Sequence, residues 1–154
     1  MNGVEIVPMQ SVHIGQIAEL EKACFSLPWD LRAFESELDN PLSDWLVALS
    51  GERVVGYIGS QTAGGESDVM NVAVSFEYRR QGVARALLAA METVLRKRKT
   101  EAISLEVRKS NLEAIRLYES FGFRQVGLRP KYYFKPTEDA LIYRKEMCYE
   151  NSGN

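Results

Sequence analysis

The chain has 154 residues, 45% of them hydrophobic and 26% charged, which suits one folded domain with its own core. With 19 Lys+Arg against 21 Asp+Glu the formal net charge is -2, which excludes a basic footprint for DNA or RNA over the whole molecule. Two cysteines, Cys24 and Cys148, and the lone His13 exclude a disulfide framework or a multi-cysteine zinc site, so no metal is expected. Met1–Glu5 carries neither the basic segment nor the apolar run of a secretion signal. The most apolar stretch, Val83–Leu95, is interrupted by Arg85 and Glu92 and falls short of the ~20 apolar residues a membrane span needs. A cytoplasmic protein without membrane contact is expected.

Val4–Val7 reads as a short strand. Ser11 is placed to cap a helix running to Cys24, with Ile14, Ile17, Ala18 and Cys24 near one face. Pro28-Trp29-Asp30 opens a second helix, in which Leu31, Phe34 and Leu38 fall at i, i+3 and i+7 before Asn40-Pro41 ends it. Trp45–Leu49 and Val54–Ser60 flank Ser50-Gly51-Glu52 as a hairpin, and Gly64-Gly65 marks a second turn. Val69–Val74 is the next strand. The longest helix follows, Val83–Lys97, with a buried stripe of Val83, Leu87, Met91, Val94 and Leu95. Ala102–Val107 is a strand, Asn111–Phe121 a helix stopped by Gly122, and Gln125–Leu128 and Ala140–Arg144 are closing strands. Strands alternating with helices in the second half predict a mixed, partly parallel sheet covered by helices. The whole reads as one domain over 1–149 with a loose tail over 150–154.

The segment that speaks to chemistry is Val72-Ala73-Val74-Ser75-Phe76-Glu77-Tyr78-Arg79-Arg80-Gln81-Gly82-Val83-Ala84-Arg85. An apolar strand runs through a short loop into a long helix that begins with small residues. The first amides of a helix lack internal partners and the macrodipole adds roughly half a positive charge there, so an anion such as a phosphate is well received. Arg79, Arg80 and Arg85 add charge nearby. An ordinary strand-to-helix turn with solvated arginines would also account for one glycine and one alanine. No dinucleotide fingerprint or Walker loop is present.

In order and spacing, Val69–Val74, Arg79-x-x-Gly82-x-Ala84, Leu105-Glu106-Val107-Arg108 and Asn111…Ala114…Leu117-Tyr118…Phe121-Gly122-Phe123 resemble the Gcn5-related N-acetyltransferases. Cys24-Phe25-x-x-Pro28-Trp29, Lys131-Tyr132-Tyr133 and Glu138-Asp139-Ala140 are similar to the RimI-like ribosomal-protein-alanine N-acetyltransferases within that family. The resemblance covers nearly the whole chain; one departure is Ala84, where many members carry a second glycine. It implies a mixed α/β fold with a mostly antiparallel central sheet, parallel strands splayed at a coenzyme cleft, and helices on both faces. It also implies acetyl-CoA as co-substrate. The pantetheine would pair along Val72, Ala73 and Val74, and the pyrophosphate would sit on the amides between Arg80 and Arg85, a stretch that includes Gln81, Gly82, Val83 and Ala84. Asn111, a natural helix cap after Lys109-Ser110, would hydrogen-bond the coenzyme as well.

A carboxylate on an apolar strand is costly unless paired, and on the residues alone Glu106 reads as the partner of Arg108 at a polar rim. Tyr118, at i+4 from Ala114, likewise reads as a core-edge aromatic. The resemblance assigns both to catalysis, Glu106 as general base and Tyr118 as general acid. It further implies that Trp29, Tyr132 and Tyr133 are walls of a peptide groove, although each could equally be core. The expected acceptor is a protein N-terminus, above all the N-terminal alanine of a small-subunit ribosomal protein. Lysine or small-molecule amine acceptors stay open, as does a non-catalytic coenzyme-binding module. Arg96-Lys97-Arg98-Lys99 closes a helix, where cations complement the dipole, and reads as a solvated end rather than a nucleic-acid patch. His13 reads as a surface residue. A monomer or weak dimer is expected.

Overall fold

The computed structural model describes residues 3–149; the tail expected over 150–154 lies outside the described residues. Strand-forming stretches, continuously apolar where helices cover both faces and alternating elsewhere, form seven strands in a single sheet. They are β1 (Val4–Pro8), β2 (Ser43–Ser50), β3 (Arg53–Ala63), β4 (Glu66–Val74), β5 (Ala102–Arg108), β6 (Arg124–Tyr133) and β7 (Glu138–Glu146). The strand order is β1-β2-β3-β4-β5-β7-β6, antiparallel throughout except for the parallel pair of β4 with β5.

Helices cover both faces. On one lie α1 (Ile14–Cys24) and α2 (Leu31–Glu37), over a cluster of Ile14, Ile17, Phe34, Trp45 and Tyr57. On the other lie α3 (Val83–Lys97) and α4 (Leu112–Ser120), over Leu46, Ile58, Leu105, Phe123 and Tyr143. Of the stripe read on α3, Val83, Leu87, Met91 and Leu95 are each at most 1% exposed, whereas Val94 is only half-buried and Leu88 takes the fifth buried place. Burial of each stabilises the fold by about 1.5–3 kcal/mol.

Four local expectations are corrected. Ser11 does not cap α1. The chain first makes a 3-10 turn over Ser11–His13, and the Gln10 amide donates to Nδ1 of His13 (3.0 Å). That bond draws His13 inward to 8% exposure, so it is not a surface residue. On α2, capped by Asp30 accepting from the Ala33 amide (2.9 Å), only Phe34 of the expected stripe is buried. Leu31 and Leu38 are 47% and 39% exposed. The inward face of this short helix instead carries Glu37, whose carboxylate accepts from Trp45 Nε1 (3.2 Å) and Ser43 Oγ (3.0 Å). Finally, β6 extends well past Leu128, through Pro130 to Tyr133. An edge strand tolerates the missing proline amide.

Candidate active site

The two parallel strands that meet at the centre of the sheet do not stay together. Pairing between β4 and β5 covers only Glu66–Asp68 against Ala102–Ser104. Immediately beyond, Ser60 pairs with Val69 and Gly59 with Asn71, so Met70 is an extra residue bulged out of β4. A bulge bends and over-twists its strand, and here it turns β4 away from β5. The edges of 71–74 and 105–108 are left facing a cleft.

The cleft holds two cavities. One, of about 590 Å³, is bounded by Val72–Val74, the turn from Tyr78 to Arg80, the start of α3 and one side of α4. The other, of about 720 Å³, is bounded by Glu21, Trp29, Met70–Val72, Leu105–Arg108 and Tyr132–Pro136. Cys24, Phe25, Val72, Asn111, Ala114 and Tyr118 line both, so Tyr118 stands at their junction.

The smaller cavity collects nearly all the residues expected around the coenzyme: Val72, Ala73, Val74, Arg79, Arg80, Gly82, Val83, Ala84, Arg85 and Asn111. Gln81 is not among its lining, because its side chain turns back to the Glu77 carbonyl (3.1 Å). Gly82 caps α3 at φ +81°, a conformation that disfavours a side chain, and a Cβ there would meet no atom within 4 Å. The first intrahelical bond runs from the Ala86 amide to the Gly82 carbonyl (3.0 Å), leaving the amides before it without helical partners. Open space over unpaired amides fits a pyrophosphate. Arg85 is held by Ser120 Oγ (3.0 Å), and Arg79 donates to the Val74 carbonyl (3.2 Å) on the open side of β4. Asn111 caps α4 by accepting from the Ala114 amide (3.2 Å).

Two carboxylates line the larger cavity, and their surroundings differ. Glu21, on α1, is 1% exposed and fully engaged. It accepts from the Tyr57 hydroxyl, from Asn71 Nδ2 (2.9 and 3.1 Å) and from the Trp29 amide (3.0 Å). Burial, followed by the Glu21 bond, pushes the Tyr57 phenol far above its ordinary pKa. Glu106 is otherwise. Its Oε2 is buried and has no hydrogen-bond partner among the described residues. Arg129 Nε approaches to 3.2 Å, near enough for charge pairing but not aligned as a hydrogen bond. The Glu106–Arg108 pair expected from the residues alone does not form: Arg108 pairs with Glu138 (3.2 Å). Both residues point to the same side of β5, and Glu138 offers the guanidinium a closer carboxylate at the start of β7.

Tyr118 is 8% exposed, packs on Phe123 (5.9 Å between centroids), and burial pushes its phenol up to about 12. Tyr133 is also pushed up to about 12, by burial first and then by the nearby Glu106 charge. Trp29 packs on Phe34 (5.4 Å) and Trp45 (5.6 Å) and also lines the larger cavity. Tyr132 and Tyr133 meet edge-on (5.1 Å) along its opposite wall. The basic run is engaged at the far end of α3, Arg98 with Asp44 (2.5 Å) and Arg96 with the Cys148 carbonyl (3.1 Å).

Sequence reasoning missed Glu21, although a signal was there. It falls four residues after Ile17 and three after Ala18, on the apolar stripe of α1, where a carboxylate demands an explanation. Asn71 and Arg129 carried no comparable signal, since strand alternation does not say what lies across a cleft.

The acetyltransferase (GNAT) family model matches residues 14–123. The ribosomal protein bS18-alanine N-acetyltransferase of Escherichia coli K12 is 33% identical over 141 residues, covering 89% of this chain and 93% of that protein. The N-alpha-acetyltransferase RimI of Mycobacterium tuberculosis is 36% identical over 135 residues, 84% of each chain. The crystal structure of the Escherichia coli ribosomal-protein-S18-alanine N-acetyltransferase superposes with a TM-score of 0.86 at 30% identity, over 96% of this chain and 97% of that one. The splayed strands, the open helix start and these likenesses agree: the chain belongs to the GNAT family of acetyltransferases and is an acyltransferase.

Proposed function

We propose that this chain transfers an acetyl group from acetyl-CoA to the N-terminal α-amine of a protein, the N-terminal alanine of a small ribosomal-subunit protein being the favoured acceptor. The observation that carries the reading is Glu106 Oε2, buried beside Arg129 without a hydrogen bond, in the cavity that adjoins Tyr118. Of the two carboxylates there, Glu21 has its oxygens occupied, whereas Glu106 has an acceptor position free for the proton of an incoming amine. The names of the relatives support the choice of acceptor.

Acetyl-CoA supplies the acetyl group as a thioester with an electrophilic carbonyl carbon. The smaller cavity binds it through the amides at the start of α3 and along Val72, Ala73 and Val74, with Arg79, Arg80, Arg85 and Asn111 around it. Glu106 takes the proton from the ammonium, directly or through water, so that a neutral amine attacks. A backbone N–H near Val74 stabilises the negative charge that develops on the carbonyl oxygen. As the carbon–sulfur bond breaks, Tyr118, which keeps its proton far into the alkaline range, gives it to the departing sulfur. The nitrogen sheds its second proton to solvent, and Tyr118 is reprotonated from solvent.

One carboxylate suffices for an α-amine, whose reference pKa of about 7.7–8.0 leaves roughly a third neutral near pH 7.5. A lysine at about 10.4 is neutral about one time in a thousand, a further handicap of about 3.5 kcal/mol. Trp29, Tyr132 and Tyr133 wall the larger cavity, and the exposed Phe25, Leu27 and Phe134 continue it as an apolar rim suited to an extended chain. The test is a peptide that begins with alanine and contains an internal lysine, incubated with acetyl-CoA and read by mass spectrometry. Acetylation at the first nitrogen is expected, with the lysine much slower. Modification confined to the lysine would overturn the acceptor and leave the acetyltransferase assignment standing.

A further inference from the structure

Arg108 sits two residues after Glu106 on β5, and its guanidinium reaches across to the loop that joins β6 to β7. Nη1 donates to the Pro136 carbonyl (2.9 Å) and pairs with Glu138 Oε1 (3.2 Å), while Nη2 donates to the Phe134 carbonyl (3.0 Å). The same group lies over the Tyr133 ring, 4.5 Å from its centroid. Tyr133, Phe134 and Pro136 all line the larger cavity. Ser26 Oγ, from the loop after α1, donates to that same Phe134 carbonyl (3.2 Å), so the far wall is tied to the near one there.

We propose that Arg108 is a positioning residue for the acceptor: it holds the 133–136 wall in the form that faces Glu106, and thereby sets how tightly the amine-bearing chain is bound. This rests on reading the larger cavity as the acceptor site. Backbone carbonyls on a surface loop are normally satisfied by water and leave the loop free to rearrange. Here one planar fork satisfies two of them, keeps a carboxylate and stacks on a ring, which fixes Tyr133, Phe134 and Pro136 relative to β5. A lysine could not do so. It offers a compact point charge without a fork, so it can meet Glu138 but not both carbonyls and the ring together.

The experiment compares the full chain with Arg108→Lys and Arg108→Gln in three measurements. In steady-state kinetics with an alanine-initiated peptide, KM for peptide should rise about tenfold or more in both variants, with kcat within about threefold. Coenzyme affinity by calorimetry should be unchanged, because the smaller cavity has no contact with Arg108. Amide hydrogen exchange should accelerate over residues 132–138 in both variants and nowhere on β5. Unchanged exchange in that loop overturns the clamp, whatever the activity. Faster exchange with an unchanged peptide KM overturns the positioning role. If the parent enzyme acetylates only lysine, the reading of the acceptor fails separately, and the clamp is still judged by exchange and by KM for the lysine peptide.

Discussion

The two cavities on either side of Tyr118 are made from different materials. The smaller is mostly main chain: the unpaired edge of 72–74 and the open start of α3, with Gly82 at φ +81° leaving room above the amides. The larger is made of side chains and loops from α1, β4, β5, β6 and the turn before β7, segments more than a hundred residues apart. Its two walls depend on one buried or half-buried ion each, Glu21 on the side of Trp29 and Arg108 on the side of Phe134. A ligand shared by a whole family is well served by main chain, which substitution hardly alters. An acceptor that distinguishes one enzyme from another is served by loops that can change while the sheet stays fixed.

That contrast can be broken by substitutions on each side. The largest effect is expected at Gly82→Glu, which puts a side chain and a negative charge over the helix start and forces an unfavourable φ. Coenzyme binding by calorimetry should disappear, and normal binding would remove this site from consideration. Next comes Glu106→Gln, which should lower kcat/KM for peptide by roughly 10²–10⁴ while leaving coenzyme affinity intact. A variant at full rate from pH 6 to 9 would remove Glu106 from the mechanism.

Tyr118→Phe should slow turnover by a smaller factor with little change in either substrate's affinity. The sign of its pKa shift sharpens the pH test. Burial raises the phenol from about 10 to about 12, so the proton it donates is fully in place at neutral pH. The rate should therefore show no alkaline limb due to Tyr118 below about pH 11. The same shift makes folding stability fall as pH rises from about 10 towards 12, because the folded state holds this proton longer than the unfolded chain does. A rate falling with an apparent pKa of 10 that vanishes in Tyr118→Phe would contradict the burial argument.

The smallest effect on chemistry and the clearest on stability is expected at Glu21→Ala. It strands the Tyr57 hydroxyl, the Asn71 amide and the Trp29 N–H at a site 1% exposed. Leaving such groups unpaired costs about 1–3 kcal/mol, to be read from denaturant melts. Peptide KM should rise as the Trp29 wall loosens, while coenzyme affinity stays put. A loss of coenzyme binding instead would mean that the two cavities are not separately built.

Periodicity and helix punctuation were enough to place most of the elements, because the stripe on α3, the caps Asp30 and Asn111 and the hairpin turn at Gly51 are local matters. The open helix start was legible for the same reason: a strand, a short loop and small residues lie consecutively along the chain. The inward turn of His13 and the exposure of Leu31 and Leu38 were not legible. The first follows from a 3-10 turn that the apolar pattern does not announce, and the second from what a short helix meets across the sheet. The glutamate on the α1 stripe could have been noticed, and its neighbours Asn71 and Tyr57 could not.

By itself, then, the amino-acid order determined a mixed sheet under helices, an open strand-to-helix turn at Arg79–Arg85, and which carboxylate and phenol deserved scrutiny through their likeness to a family. Tertiary structure decided who pairs with whom. Arg108 and Glu106 stand two residues apart on one strand, and sequence proximity suggested a pair. Folding instead brings Glu138 to Arg108 from thirty residues away and leaves Glu106 Oε2 buried without a hydrogen bond. The physical reason is the period of the strand and the reach of the loop. Alternate residues share a face, but their charges meet only what the opposing wall presents, and that wall is assembled from the other end of the chain.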